Sequence, residues 1–317
     1  MAIQNSLTVL CSLVATLIAP KGLSLQDTAS PKSVIARPHV EAFSGELAGG
    51  SGGLEVDSNG FVYCADFGSR LGTGSTGGNR VYRLDPKTGQ AEVFISSLRG
   101  ASGNAFGPNG DLFQSSIGAG FITRIKPDGS SSIFVNKELA SPVGIAIDDE
   151  GMLFVANCGS NKIVEVSPDG EPLVFASDPL LSCPNGITFD DEHNLYVANF
   201  NNGDVIKISW DGDVSKLATL PGNNNGHLVH RAGFLYVVAR GAHQIYKVSL
   251  KGDVELFAGT GKRGHHDGPA LEATFSFPND LAFSPDGKTL YVNENASTTE
   301  PHTSLAPMLV RRIRMPG

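Results

Sequence analysis

Apolar and polar residues alternate along this chain in short runs that return six times. Each return opens with an apolar strand, passes a turn usually built on Asp, Asn or Gly, and continues into a second strand. The openings are GGLEVDSNGFVYCAD from Gly52, SGNAFGPNGDLFQSS from Ser102, VGIAIDDEGMLFVAN from Val143, NGITFDDEHNLYVAN from Asn185, NGHLVHRAGFLYVVA from Asn225 and NDLAFSPDGKTLYVNEN from Asn279. Their starts are 50, 41, 42, 40 and 54 residues apart. A period near forty with strand content predicts a propeller or a solenoid.

Two further strands follow each opening pair. The third strands are RVYRLD, FITRIK, KIVEVS, DVIKIS, QIYKVS and the C-terminal LVRRIR, and most show the period of two expected of half-buried strands. The fourth strands, AEVFIS, SSIFVN, PLVFAS, VSKLAT and VELFAG, number five where every other class numbers six. The missing member lies at the other end of the chain. HVEAFSG, from His39 to Gly45, has the same pattern and precedes the first repeat. Phe43, Phe94, Phe134, Phe175, Leu217 and Phe257 mark a common register. An open stack would leave two uncovered sheet faces, whereas these ends supply complementary parts of one sheet. The prediction is an all-β, six-bladed β-propeller of four antiparallel strands per blade. It forms one domain over residues 38–317, and the strand at 39–45 completes the C-terminal blade.

Composition adds little to that picture. The 38 glycines, about twelve per cent of 317 residues, exceed the usual ~7 % and suit many tight turns. With 18 % charged residues and a formal charge of −8, the chain lacks the basic surface that nucleic acid needs. Residues 1–24 read as a signal peptide, with an apolar run from Leu7 to Ala19 and cleavage expected after Ser24. That run is short for a membrane span. Residues 25–37 read as a flexible lead-in. The mature chain is expected to be secreted or periplasmic, without a membrane span, and monomeric. Cys158 and Cys183 fall on the same face of adjacent blades, and both a disulfide and two free thiols are compatible with that placement. Cys64 reads as a small core residue.

Residues 259–295, GTGKRGHHDGPALEATFSFPNDLAFSPDGKTLYVNEN, resemble the NHL repeat, in which a Gly-rich loop, a DGPA turn and a short helix lead into the next inner strand. PNGITF and PNDLAF resemble inner-strand starts of the gluconolactonase/regucalcin family and of the paraoxonases. The likeness spans residues 38–317 and implies six blades. It also implies a channel metal, held in the gluconolactonase family by a first-blade Glu and by Asn or Asp at later inner-strand starts. Asn185 and Asn225 occupy two such positions. Gly52 stands in place of the Glu and Val143 in place of a further Asn, while Asn279 and Asp280 resemble the paired Asp-Asn of paraoxonases in reverse order.

In a propeller, the starts of the inner strands converge on one mouth of a central channel. Here the first positions read Gly52, Ser102, Val143, Asn185, Asn225 and Asn279, and the next read Gly53, Gly103, Gly144, Gly186, Gly226 and Asp280. Five glycines in register imply crowded backbones or positive φ. The oxygens of Asn185, Asn225, Asn279, Asp280 and Ser102 suit a hard divalent cation such as calcium. The same asparagines could instead bond only to neighbouring backbone. His227, near them, is a candidate general base beside Asp280, or a core histidine with one satisfied hydrogen bond. Asn104 is the other polar residue at the His227 position. A second ring is expected further out, at Asp66, Ser116, Asn157, Asn199, Ala239 and Glu294, with Glu294 paired to Arg240. His265 and His266 read as surface residues. The segments 67–79 and 295–307 are expected to lie side by side over the mouth as a lid or partner surface, and Asn295-Ala296-Ser297 forms a glycosylation sequon. Two functions remain open: a metal-dependent lactone or ester hydrolase of gluconolactonase type, and a non-catalytic propeller gripping a protein or glycan.

Overall fold

The computed structural model of the chain describes residues 37–70, 78–301 and 303–316; the expected signal peptide and most of the lead-in lie outside them. The described residues form six antiparallel sheets arranged as blades. Blade one comprises Ser51–Val56, Val62–Asp66, Val81–Leu84 and Ala91–Ile95. The inner strands of blades two to six are Ala101–Phe106, Pro142–Ile147, Pro184–Phe189, Asn225–Arg231 and Leu281–Phe283.

The ring closes as the pattern predicts. His39–Ala42 pairs antiparallel with Met308–Arg314, Val40 opposite Ile313, and supplies the fourth strand of blade six. Gly268–Pro269 adds a two-residue fifth piece outside it. The short helix implied by the NHL likeness is replaced by this bridge and by a turn at 270–272. Among the described residues the helical elements are single 3₁₀ turns, Cys158–Ser160 and Arg240–Ala242.

Packing repeats from blade to blade. A second-strand aromatic meets a fourth-strand Phe of the same blade edge-on: Tyr63 with Phe94 (5.1 Å), Phe113 with Phe134 (5.0 Å), Phe154 with Phe175 (5.1 Å) and Tyr236 with Phe257 (5.0 Å). Phe43 joins Tyr291 at 4.8 Å, so the N-terminal strand is seated by the same aromatic pair as the other outer strands. Tyr63 also reaches Phe106, Phe154 reaches Phe189 and Tyr236 reaches Phe283, each on the next blade's inner strand. Such tilted pairs add to area burial and fix the blades' angular spacing.

The five glycines in register serve backbone crowding. A Cβ at Gly103 would sit 2.4 Å from Val143 O, at Gly144 2.4 Å from Asn185 O, and at Gly226 2.2 Å from Asn279 O. Each inner strand thus lies backbone to backbone on its neighbour. At the sixth-to-first seam, side chains take over. Asn279 Nδ2 and Asn293 Nδ2 both donate to Gly52 O (2.9 Å each), and Leu54 N donates to Asp280 Oδ2 (2.8 Å).

Candidate functional site

The channel holds two chambers. The upper one, at the starts of the inner strands, is a cavity of about 250 Å³. Its walls are apolar: Phe67, Ile117, Val143, Phe200, Leu305 and the Cys158–Cys183 disulfide. The structure thereby settles the cysteine alternatives, and Cys64 is a buried free thiol whose pKa burial pushes up to about 12. Phe67 and Leu305 come from the two seam segments. Their described parts touch, with Leu305 N donating to Ser69 O (3.1 Å) and Arg70 bridging Ser304.

Ser102, Asn185, Asn279 and His227 supply polar groups to this chamber. Asn185 Nδ2 donates to Asn225 O (2.9 Å). The amide oxygens of Asn185 and Asn279 therefore remain as acceptors. Asn225 does not join them. It is fully buried, its Nδ2 donates to Asp204 O (3.3 Å), and its Oδ1 has no partner among the described residues. The expected ring of three asparagines is thus two, because Asn225 turns back toward blade four.

Asp280 lies below. It lines the second chamber, about 320 Å³, at the far ends of the inner strands, with Glu55, Asn104, Thr188 and the underside of His227. Its Oδ1 accepts from Leu281 N (2.7 Å), and its Oδ2 lies 3.2 Å from His227 Nδ1. Burial pushes the Asp280 carboxyl up to about 8 and the His227 imidazole down to about 4. Neither charge is solvated, so at neutral pH the pair carries no net charge, with the carboxyl protonated and the imidazole neutral. Among the described residues His227 alone lines both chambers. Its Nε2 makes no hydrogen bond to a described residue.

Glu55 is the functional candidate the sequence reasoning missed. Burial, reinforced by the Asp280 charge, raises its carboxyl to about 7, while Val56 N donating to Oε1 (3.0 Å) opposes the shift. The signal was present: the equivalent position holds Ala105, Ala146, Thr188, Leu228 and Ala282 in the other blades.

A calcium site needs negative oxygens converging on one point. Of the expected ligands the upper chamber keeps two neutral amide oxygens and a hydroxyl; its other polar side chains, Ser51, Ser141 and Asn201, are also uncharged, and the carboxyl lies on the other side of His227. Among the described residues no three His, Cys, Asp or Glu side chains group at metal-binding spacing. The donor set present does not fit a hard divalent ion.

Asp66, Asn157, Asn199 and Glu294 of the second ring serve as latches, whereas the buried Ser116 Oγ has no partner among the described residues. Asp66 Oδ1 accepts from Gly50 N (3.0 Å), Asn157 Oδ1 from Ala140 N (2.7 Å), and Asn199 Oδ1 from Ser182 N (3.1 Å). Asn157 and Asn199 also donate to Glu138 O (3.0 Å) and Leu180 O (2.7 Å). Each grips the loop that feeds its own blade's inner strand. Glu294 holds Ser276 N in the same way. The expected Glu294–Arg240 pair is replaced: Glu294 Oε1 meets Arg311 Nη1 (2.8 Å) and His265 Nδ1 (3.1 Å). Arg240 instead lies buried over the Phe277 ring at 4.9 Å, and burial, then Arg263, lowers its pKa to about 10. His265 is therefore part of a half-buried network, while His266 is exposed as expected. Asn295 is buried with its Nδ2 on Ser304 O, which withdraws the sequon from a glycan.

No family model and no curated protein matches the chain. Solved structures do. A gluconolactonase from Xanthomonas campestris superposes with a TM-score of 0.67 at 17 % identity, covering 90 % of this chain and 93 % of that one. Virginiamycin B lyase from Staphylococcus aureus gives 0.59 at 15 %, with 88 % and 99 % covered. A chain of a nidogen/laminin complex gives 0.58 at 19 %, with 86 % and 98 % covered. The chain carries a six-bladed propeller, and at such identities the likeness to these structures establishes the fold alone.

Proposed function

We propose that the protein is an extracytoplasmic hydrolase of small cyclic esters, acting in the upper chamber with His227 as its base. The supporting observation is the placement of His227 between Asp280 and an apolar chamber. In the tautomer with Nδ1–H donating to Asp280 Oδ2, Nε2 keeps its lone pair and is the nitrogen available to a water in the chamber. The water oxygen attacks the lactone carbonyl as its proton passes to Nε2. The same proton then goes to the ring oxygen as the acyl–oxygen bond breaks, leaving a hydroxy acid. Ser102 Oγ and the second amide protons of Asn185 and Asn279 are the donors available to the oxyanion. The apolar walls exclude bulk water and favour a compact, weakly charged substrate. Export is supported by the disulfide at the chamber wall together with the apolar leader.

Turnover of a panel of five- and six-membered lactones tests the reading. His227→Ala should lower kcat by roughly 10²–10⁴-fold, the usual weight of a general base. A second reading, a non-catalytic binding propeller, is favoured by the bare positions Gly52 and Val143. Ligand binding to the chamber with no lactone turned over would establish it.

A further inference from the structure

The lower chamber has a chemistry of its own. Three titratable side chains line it, Glu55, Asp280 and His227, and its lining includes no Lys or Arg. Asn104 also lines it. That side chain is 6 % exposed, and neither its Oδ1 nor its Nδ2 has a hydrogen-bond partner among the described residues. A buried amide left unpaired is costly, as is a buried carboxyl without a cation. Ile145, Ile187 and Leu228 supply aliphatic wall to the same chamber.

We propose that the lower chamber is a second ligand site, on the opposite side of the His227–Asp280 pair from the hydrolytic one, that takes a small primary ammonium compound with a short apolar body. An ammonium group carries three donors and no acceptor. Glu55 Oε2, Asn104 Oδ1 and the Asp280 carboxyl are the acceptors that meet it. Glu55 Oε1 already accepts from Val56 N, and both Asp280 oxygens accept backbone N–H groups, so each carboxyl is held in place before the ligand arrives. The raised pKa values of Glu55 and Asp280 agree with carboxyls that lack a counter-charge. Binding would ionise them and release protons. A volume of about 320 Å³, on the order of ten water molecules at ~30 Å³ each, admits an amine of several carbons.

Calorimetry and thermal shift on the intact protein, with n-butylammonium chloride, 1-butanol, sodium butyrate and calcium chloride at matched ionic strength, test this without any turnover. The hydrolase reading and this one can therefore fail separately. Butylammonium should bind saturably and raise the melting temperature, with proton release, while butanol and butyrate do neither. Glu55→Gln should weaken amine binding at least tenfold, and Asn104→Asp, which adds a carboxylate, should tighten it at least threefold. Equal binding of butanol, an unchanged affinity in both variants, or stabilisation by calcium with none by the amine would overturn the proposal.

Discussion

His227 Nδ1, on the inner strand of blade five, and Asp280 Oδ2, immediately before that of blade six, lie 3.2 Å apart, and their contact divides the central channel into an apolar half and an acidic half. Asp280 occupies the position that is glycine in the other five blades. Its carboxyl also receives Leu54 N from blade one, so one side chain joins three blades.

Stability should therefore fall as pH rises. Asp280, raised from 3.8 to about 8, and Glu55, raised from 4.5 to about 7, hold protons in the folded state that the unfolded chain releases. Their contribution is complete below about pH 4 and is lost as pH climbs toward 8. His227, lowered from 6.5 to about 4, acts oppositely: its contribution is present above 6.5 and lost as pH falls toward 4. Urea midpoints from pH 5 to pH 8 should decline for the wild type and decline less for Asp280→Asn. Parallel curves would mean that Asp280 is ionised in the folded protein.

The closing strand is expected to be structurally essential. Phe43 is 9 % exposed and packs on Tyr291. Phe43→Ala should cost about 3–5 kcal/mol in denaturant titrations, as truncation of a buried aromatic does. Removing residues 37–45 uncovers the Met308–Arg314 edge and should produce oligomers visible by light scattering.

Reduction should loosen the upper chamber. The Cys158–Cys183 bridge spans a sequence separation of 25 and lines that cavity. Cys158→Ser with Cys183→Ser should lower stability by about 2–4 kcal/mol. Reductant should lower the melting temperature of the wild type and leave that of the double variant unchanged.

The latches predict a local cost. Asn199→Ala removes the partners of Ser182 N and Leu180 O at once and should destabilise by about 1–3 kcal/mol. Asn199→Asp, which keeps the acceptor and loses the donor, should fall between. Equilibrium unfolding of the two variants decides the order.

Millimolar calcium should leave the melting temperature where it is. A specific site would raise it by mass action, and the upper chamber's side-chain oxygens, those of Ser102, Asn185 and Asn279 among them, are all neutral. A concentration-dependent rise abolished by Asn185→Ala would restore the cation to the upper chamber.

Blade number, strand phase and ring closure were legible in the chain because each is local. Alternation assigns a strand's faces, turn residues bound it, and the count of fourth strands shows where the ends must meet. The glycine row was equally readable, and its cause is the close approach of neighbouring backbones. The aim of the polar side chains was not legible. The pairing of the first five inner strands shifts register near their starts, as between Ser51 and Leu54 or Asn225 and Leu228, whereas Leu281–Phe283 pairs without a shift. A bulge redirects the residues beside it. Asn225 consequently turns toward Asp204 while Asn185 faces the chamber, and Asp280 points below the ring in which the sequence placed it. Charge pairing was likewise decided by packing between distant segments, which gave Glu294 to Arg311 rather than to Arg240. The sequence by itself determined the ring; only the tertiary structure decided which of its side chains share a chamber, because orientation at a bulge depends on the neighbouring blade and not on the residue's place in the repeat.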